Sequence, residues 1–155
     1  ANILVRKLAE LDAGIKSYRE AMGAAWDRSV LAIVTEFGRT AAINGTGGTD
    51  HGTGGAMFLA GGAVRGGRVG GLWPGVARRE LYQNRDLHAT TDVRGVFKGV
   101  LARHLRVAES VLETKVFPDS NKVAPLENLV EEKPRDSRLA ARSGALGRRE
   151  QIVGG

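Results

Sequence analysis

No cysteine occurs in the 155 residues, which excludes a disulfide framework, a thiolate zinc site and a cysteine nucleophile. Aromatic side chains are scarce, at two Trp, two Tyr and four Phe, and basic and aromatic residues nowhere alternate as on a base-stacking platform. Positive charge gathered in one place is lacking too. The net +6, from 23 basic and 17 acidic residues, is spread along the chain as solvated faces, so a nucleic-acid partner is not expected. No apolar run approaches the roughly 20 residues a bilayer-crossing helix requires, and no charged segment followed by an apolar one opens the chain. The expectation is a soluble chain with no transmembrane segment, long enough for one domain with a modest core.

What is present is glycine, 22 residues, about twice ordinary usage. Around it the hydrophobic pattern marks several elements. Val5, Leu8, Leu11, Ile15, Tyr18 and Met22 form a helical stripe across residues 4 to 25. The run SVLAIVTEF, 29 to 37, reads as a strand buried on both faces. AMFLAGG, 56 to 62, supplies a second strand, and 63 to 76 two short extended pieces joined by Gly66 and Gly67. A second helix is predicted over 92 to 105 through Val93, Val96, Phe97, Val100, Leu101 and Leu105, capped by Thr90 or Thr91 with Asp92 near its positive end. A short helix follows over 108 to 114. Two units result: a domain over 1–130 and a charged tail over 131–155, too poor in large apolar groups to bury much.

The stretch EFGRTAAINGTGGTDHGTGG, 36 to 55, places Glu36, Arg39, Asp50 and His51 among glycines. Glycines in such density shape a surface that backbone can approach closely, with N–H groups turned toward an anion. The phosphate-loop Lys-Ser/Thr and a strand–GxGxxG–helix context are both absent, so this is not a nucleotide fingerprint. Glu36 would stand at the end of a strand, where ligand sites of open α/β sheets gather. Asp50 and His51 together offer oxygen and nitrogen to a borderline metal. Arg39 can pair with Glu36 or fork onto an anion. The alternative is structural, with Asp50 capping a turn and His51 bonded to backbone. His88 and His104 read as surface residues, Trp73 as a packing anchor, and Asp86 and Asp92 as turn and helix-start residues.

The ordered series VTEFGRT, NGTGGTDHGTGGAMFLAGGAVRGGRVGGLWPG, LYQNRDL, TTDVRGVF and VFPDS resembles the C-terminal part of a mostly bacterial family, the domain of unknown function numbered fifteen hundred and one. The resemblance covers about residues 4 to 130. Members are often exported by the twin-arginine route, which implies the periplasm or cell envelope. The family in turn resembles the alkaline phosphatase and sulfatase superfamily, which implies a partial three-layer α/β/α fold with a glycine-rich central loop region. It also implies a divalent metal (zinc, manganese, magnesium or calcium) held by Glu36, Asp50 and His51. Arg39, Asn44, Gly48 and Gly52 would then contact a small anionic ligand. Glu-Phe stands where the superfamily has Asp-His, which removes one nitrogen ligand.

The superfamily nucleophile comes from an N-terminal part, and no upstream Ser or Thr stands at a strand end here, so no residue is put forward as catalytic. A complete site would work by attack of a metal-activated hydroxyl on phosphorus or sulfur. The leading expectation is a portion of a metal-dependent phosphatase or sulfatase-like protein, inactive alone. The other is a non-catalytic module that binds metal, anion or protein. A homo-oligomer or a missing N-terminal portion would complete the unpartnered stripes and strands.

Overall fold

The computed structural model describes residues 3–131, so the predicted charged tail lies, apart from Glu131, outside the described residues. The first helix, α1 (Ile3–Met22), is rich in Leu, Ala, Lys, Glu and Arg, all good helix formers. Lys7 and Arg6 reach Glu10 at 2.7 and 3.7 Å along its exposed side. None of its residues is buried. The helix runs into a 3-10 turn, Gly23–Arg28, whose first residue has φ of +49°. Trp26 in that turn meets Tyr18 edge-on, with ring centres 6.5 Å apart.

Two small antiparallel sheets follow. In the first, β1 (Leu31–Ile33) pairs with β4 (Phe58–Ala60) in the register Leu31↔Ala60, Ala32↔Leu59, Ile33↔Phe58. The predicted strand over 29 to 37 is therefore shortened to three residues, and its burial is corrected. Leu31 and Ile33 are half-buried and Ala32 is exposed. Among the described residues β1 has β4 as its sole strand partner and no layer covers both faces. The second sheet joins β2 (Gly38–Arg39) to β3 (His51–Gly52). Glycine is required at this crossing: a Cβ on Gly52 would sit 2.6 Å from the Arg39 carbonyl carbon and oxygen, and one on Gly38 would strike the Gly52 carbonyl.

Over 63 to 76 the predicted pair of extended pieces reduces to one isolated β-bridge, Val64↔Val130. Arg65 N–H donates to the Leu129 carbonyl at 3.0 Å and Glu131 N–H to the Ala63 carbonyl at 2.8 Å.

The second helix, α2 (Val93–His104), is capped by Asp92, whose Oδ1 accepts the Arg94 N–H at 2.8 Å. That corrects the expected Thr90 or Thr91 cap; Thr90 Oγ1 instead donates to the Leu72 carbonyl at 2.7 Å. The Arg94 side chain, bonded to Asp92, holds that carboxyl below its ordinary value of 3.8. The face of α2 that buries fully is Gly95, Lys98 and Gly99, not the apolar stripe. Residues 123 to 126 lie against it, with Leu126 N–H donating to the Gly95 carbonyl at 2.8 Å. A short α3 (Glu109–Val111) widens into a π-type turn, Leu112–Val116, that buries Leu112, and Phe97 stacks on Phe117 at 6.3 Å.

The molecule is thus mixed α/β, built from helices and two small antiparallel sheets. Ala63, Leu112 and Val130 are its buried apolar side chains among the described residues. No helix there is long and apolar enough to cross a membrane.

Candidate functional site

The glycine-rich region folds into a hairpin whose strands are β2 and β3. Arg39 and His51 stand directly opposite each other in the register, so their side chains leave the same face. Phe37, two residues before Arg39, shares that face, and the His51 ring tilts over it with centres 5.0 Å apart. Arg39 Nη1 donates to the Thr49 carbonyl at 3.0 Å, which anchors the guanidinium while the residue stays exposed.

Asn44 organises the loop between the strands. Its Oδ1 accepts from Thr46 N–H at 3.1 Å, Thr46 Oγ1 at 2.8 Å and Gly48 N–H at 3.0 Å. Its own N–H donates to the Gly48 carbonyl at 2.8 Å, and Gly47 takes a φ of +78° to close the turn. An Asx side chain that satisfies successive backbone donors in this way does what a strand ladder would otherwise do. Asn44 Nδ2 then donates to Asp50 Oδ1 at 2.8 Å. Buried Thr40 completes the hold on Asp50: its Oγ1 accepts the Asp50 N–H at 3.0 Å, and its N–H donates to the Asp50 carbonyl at 3.0 Å.

The candidate residues therefore separate into groups. Arg39 and His51 share an open face. Asn44, Gly48 and Asp50 bind one another inside the loop, so the Gly48 N–H is already met. Gly52 supplies the close strand crossing. Glu36 stands exposed in the bend before β2, three residues past β1, rather than at the end of a central strand. Because Asp50 is turned to Asn44 and His51 to Phe37, the pair does not form a chelate. Among the described residues no three His, Cys, Asp or Glu side chains converge to hold a metal, so the donors present do not fit a divalent ion by themselves.

Two features escaped sequence reasoning. Residues 85 to 87 add a further extended segment along β2: Ala41 N–H donates to the Arg85 carbonyl and Leu87 N–H to the Arg39 carbonyl, each at 3.0 Å. A tight turn with Gln83 and Asn84 at φ of 52° and 57° brings this segment back. Asp86, read as a turn residue, is buried there and is forked by Arg85 at 2.7 and 3.4 Å. The signal was the polar Gln-Asn pair inside LYQNRDL, since Asn tolerates positive φ. The other missed residue is Lys98, buried on α2. Of the remaining candidates, His88 lies edge-on to Tyr82 at 5.9 Å, and Trp73 is exposed rather than a packing anchor.

No curated protein and no solved structure matches the chain significantly. Residues 2–116 match the family described as "Protein of unknown function (DUF1501)", and the chain belongs to that family.

Proposed function

We propose that the chain is the C-terminal portion of an α/β domain of the alkaline phosphatase and sulfatase type, three-layered when complete and exported to the periplasm or cell envelope. On its own it binds a small tetrahedral oxyanion and does not hydrolyse esters. The observation that carries the anion reading is the Arg39–His51 register pair. The tether from Arg39 Nη1 to the Thr49 carbonyl at 3.0 Å leaves Nε and Nη2 as donors for a ligand, and a guanidinium fork matches two oxygens of phosphate or sulfate. The adjacent imidazole N–H provides a further donor on the same face. Hydrolysis through zinc, manganese, magnesium or calcium needs ligands beyond Glu36, Asp50 and His51, so the portion alone is inactive.

The test is calorimetric titration of the purified chain with inorganic phosphate and sulfate, beside assays on aryl phosphate and sulfate esters with each metal added. Wild type takes up one anion per chain. Arg39→Ala weakens it at least about tenfold, as expected for loss of a charge-assisted hydrogen bond of about 1.5 kcal/mol. Anion uptake unchanged by Arg39→Ala, or metal-dependent turnover by the wild type, would contradict the reading.

A further inference from the structure

We propose that Asn44 is a self-modification site, where the Gly45 backbone nitrogen displaces the Asn44 side-chain amide as ammonia and leaves aspartate or isoaspartate in its place. The reaction needs a free nucleophile, an activated carbonyl and a nitrogen that can depart, and the hairpin loop supplies each. The N–H groups of Asn44, Thr46, Gly47 and Gly48 are all bonded, whereas Gly45 N–H has no acceptor among the described residues. Gly45 is exposed, with open space where a Cβ would stand, and it carries no side chain to hinder approach to the neighbouring Asn44 Cγ.

The electrophile is prepared by its hydrogen bonds. Asn44 Oδ1 accepts from Thr46 N–H at 3.1 Å, Thr46 Oγ1 at 2.8 Å and Gly48 N–H at 3.0 Å. These donors meet the oxygen on which negative charge gathers when the carbonyl is attacked. The departing Nδ2 lies 2.8 Å from Asp50 Oδ1, a carboxylate within reach to relay a proton to it. In the first step Gly45 N loses its proton to water and bonds to Cγ. The Cγ–Nδ2 bond then breaks, and Nδ2 takes a proton through Asp50 and leaves as ammonia. Water opens the resulting cyclic imide at either carbonyl.

The product alters the loop. A carboxylate in place of the Asn44 amide faces Asp50 with like charge, and Asp50 is held there by the bonds of its N–H and carbonyl to Thr40. The turn between β2 and β3 therefore loosens as the chain ages. Asn84, Asn121 and Asn128 precede Arg, Lys and Leu, whose side chains crowd the attacking nitrogen, and Arg85 N–H is already bonded to the Tyr82 carbonyl. The conversion uses neither Arg39 nor His51, so this inference stands apart from the anion reading.

The experiment incubates the purified full chain at neutral pH, folded and in urea, and follows each asparagine by peptide mapping with mass spectrometry, with circular dichroism as a folding check. Asn44 converts to a mixture of aspartate and isoaspartate before the other asparagines, and faster in the folded chain than in urea. Thr46→Val keeps the N–H donor but removes the hydroxyl, and slows conversion about fivefold, the effect of one hydrogen bond on the barrier. Thr46→Ser keeps the hydroxyl and the wild-type rate. Conversion no faster in the folded chain than in urea overturns the proposal, because Asn-Gly would then react by sequence alone; this comparison needs no variant. An unchanged rate in folded Thr46→Val overturns it as well.

Discussion

The Lys98 ammonium is fully buried and its donors are met by Glu113 Oε1 at 3.2 Å, the Ser120 carbonyl at 2.7 Å and the Val123 carbonyl at 3.0 Å. One side chain from α2 thereby gathers the π-type turn and the segment after it. Ser120, also buried, turns its own hydroxyl to the Phe117 carbonyl at 2.6 Å. Buried charge is costly unless every donor finds a partner, and here every one does. Replacing it by Met would keep the aliphatic stem but leave the Ser120 and Val123 carbonyls and the Glu113 carboxylate without their cation. Removal of one member of a buried pair costs about 3–5 kcal/mol, and because Glu113 is a quarter exposed the expected loss for Lys98→Met is at the lower end, about 3 kcal/mol. Urea unfolding measures it as a fall in midpoint at constant slope; a midpoint within error of wild type would show that the clamp is not needed. Sequence reasoning could not assign this role, because a lysine in a helical pattern reads as a solvated residue. The informative detail was its setting in GVFKG, where two glycines a helical turn apart strip that face of side chains.

Those glycines decide how the elements meet. A Cβ on Gly99 would run into the Leu126 carbonyl, and one on Gly95 would lie 2.9 Å from the Ala124 carbonyl, so the backbone of 124 to 126 rests directly on α2. Gly14, in the middle of α1, has nothing within 4 Å of the same position. The same substitution should therefore have opposite signs in the two helices. Gly14→Ala relieves the entropic penalty of glycine and gains roughly 0.5–1 kcal/mol. Gly99→Ala forces the helix and the loop apart, and overpacking of this kind costs about 1–3 kcal/mol. Thermal melts of the two variants check the contrast; equal shifts would mean that α2 does not pack as described. Helix positions were legible from the 3.6-residue period: α2 lies within one residue of its predicted ends, and α1 starts one residue early and stops three short of residue 25, where the 3-10 turn takes over. Their packing was not. Val93 and Leu105 of the predicted stripe are exposed, because close backbone contact through glycine leaves no hydrophobic period to read. The strand at 31–33 was found for its β-branched and aliphatic content. Its pairing with 58–60 rather than with a parallel neighbour depends on a partner remote in sequence, and local propensity does not specify that.

Across the whole molecule, apolar content and buried apolar content diverge. Apolar residues make up 42% of the sequence, yet among the described residues Ala63, Leu112 and Val130 are the ones fully inside. Leu8, Ile43, Val69, Leu72, Trp73 and Val76 are all exposed. Cohesion therefore comes largely from backbone ties between distant segments, 39–41 with 85–87 and 63–65 with 129–131, which no local pattern announces. The same reasoning bounds what could be read of the hairpin: Arg39, Asp50 and His51 were visible as chemistry, but which of them share a face depended on a register set by Gly38 and Gly52. A molecule held in this way should be unusually sensitive at its few packed positions. Domains retain a net stability of about 5–15 kcal/mol, and truncation of a buried leucine to alanine removes about 2–5 kcal/mol. Leu112 has no exposed surface and lies in the turn that also supplies Glu113 to Lys98. Leu112→Ala should thus loosen the hydrophobic contact and the ionic clamp together, and the expected outcome is loss of the cooperative unfolding transition. Differential scanning calorimetry distinguishes the cases. A broad, featureless trace agrees with a sparse shared core, whereas a sharp transition displaced by only a degree or two would mean that the backbone ties alone sustain cooperativity.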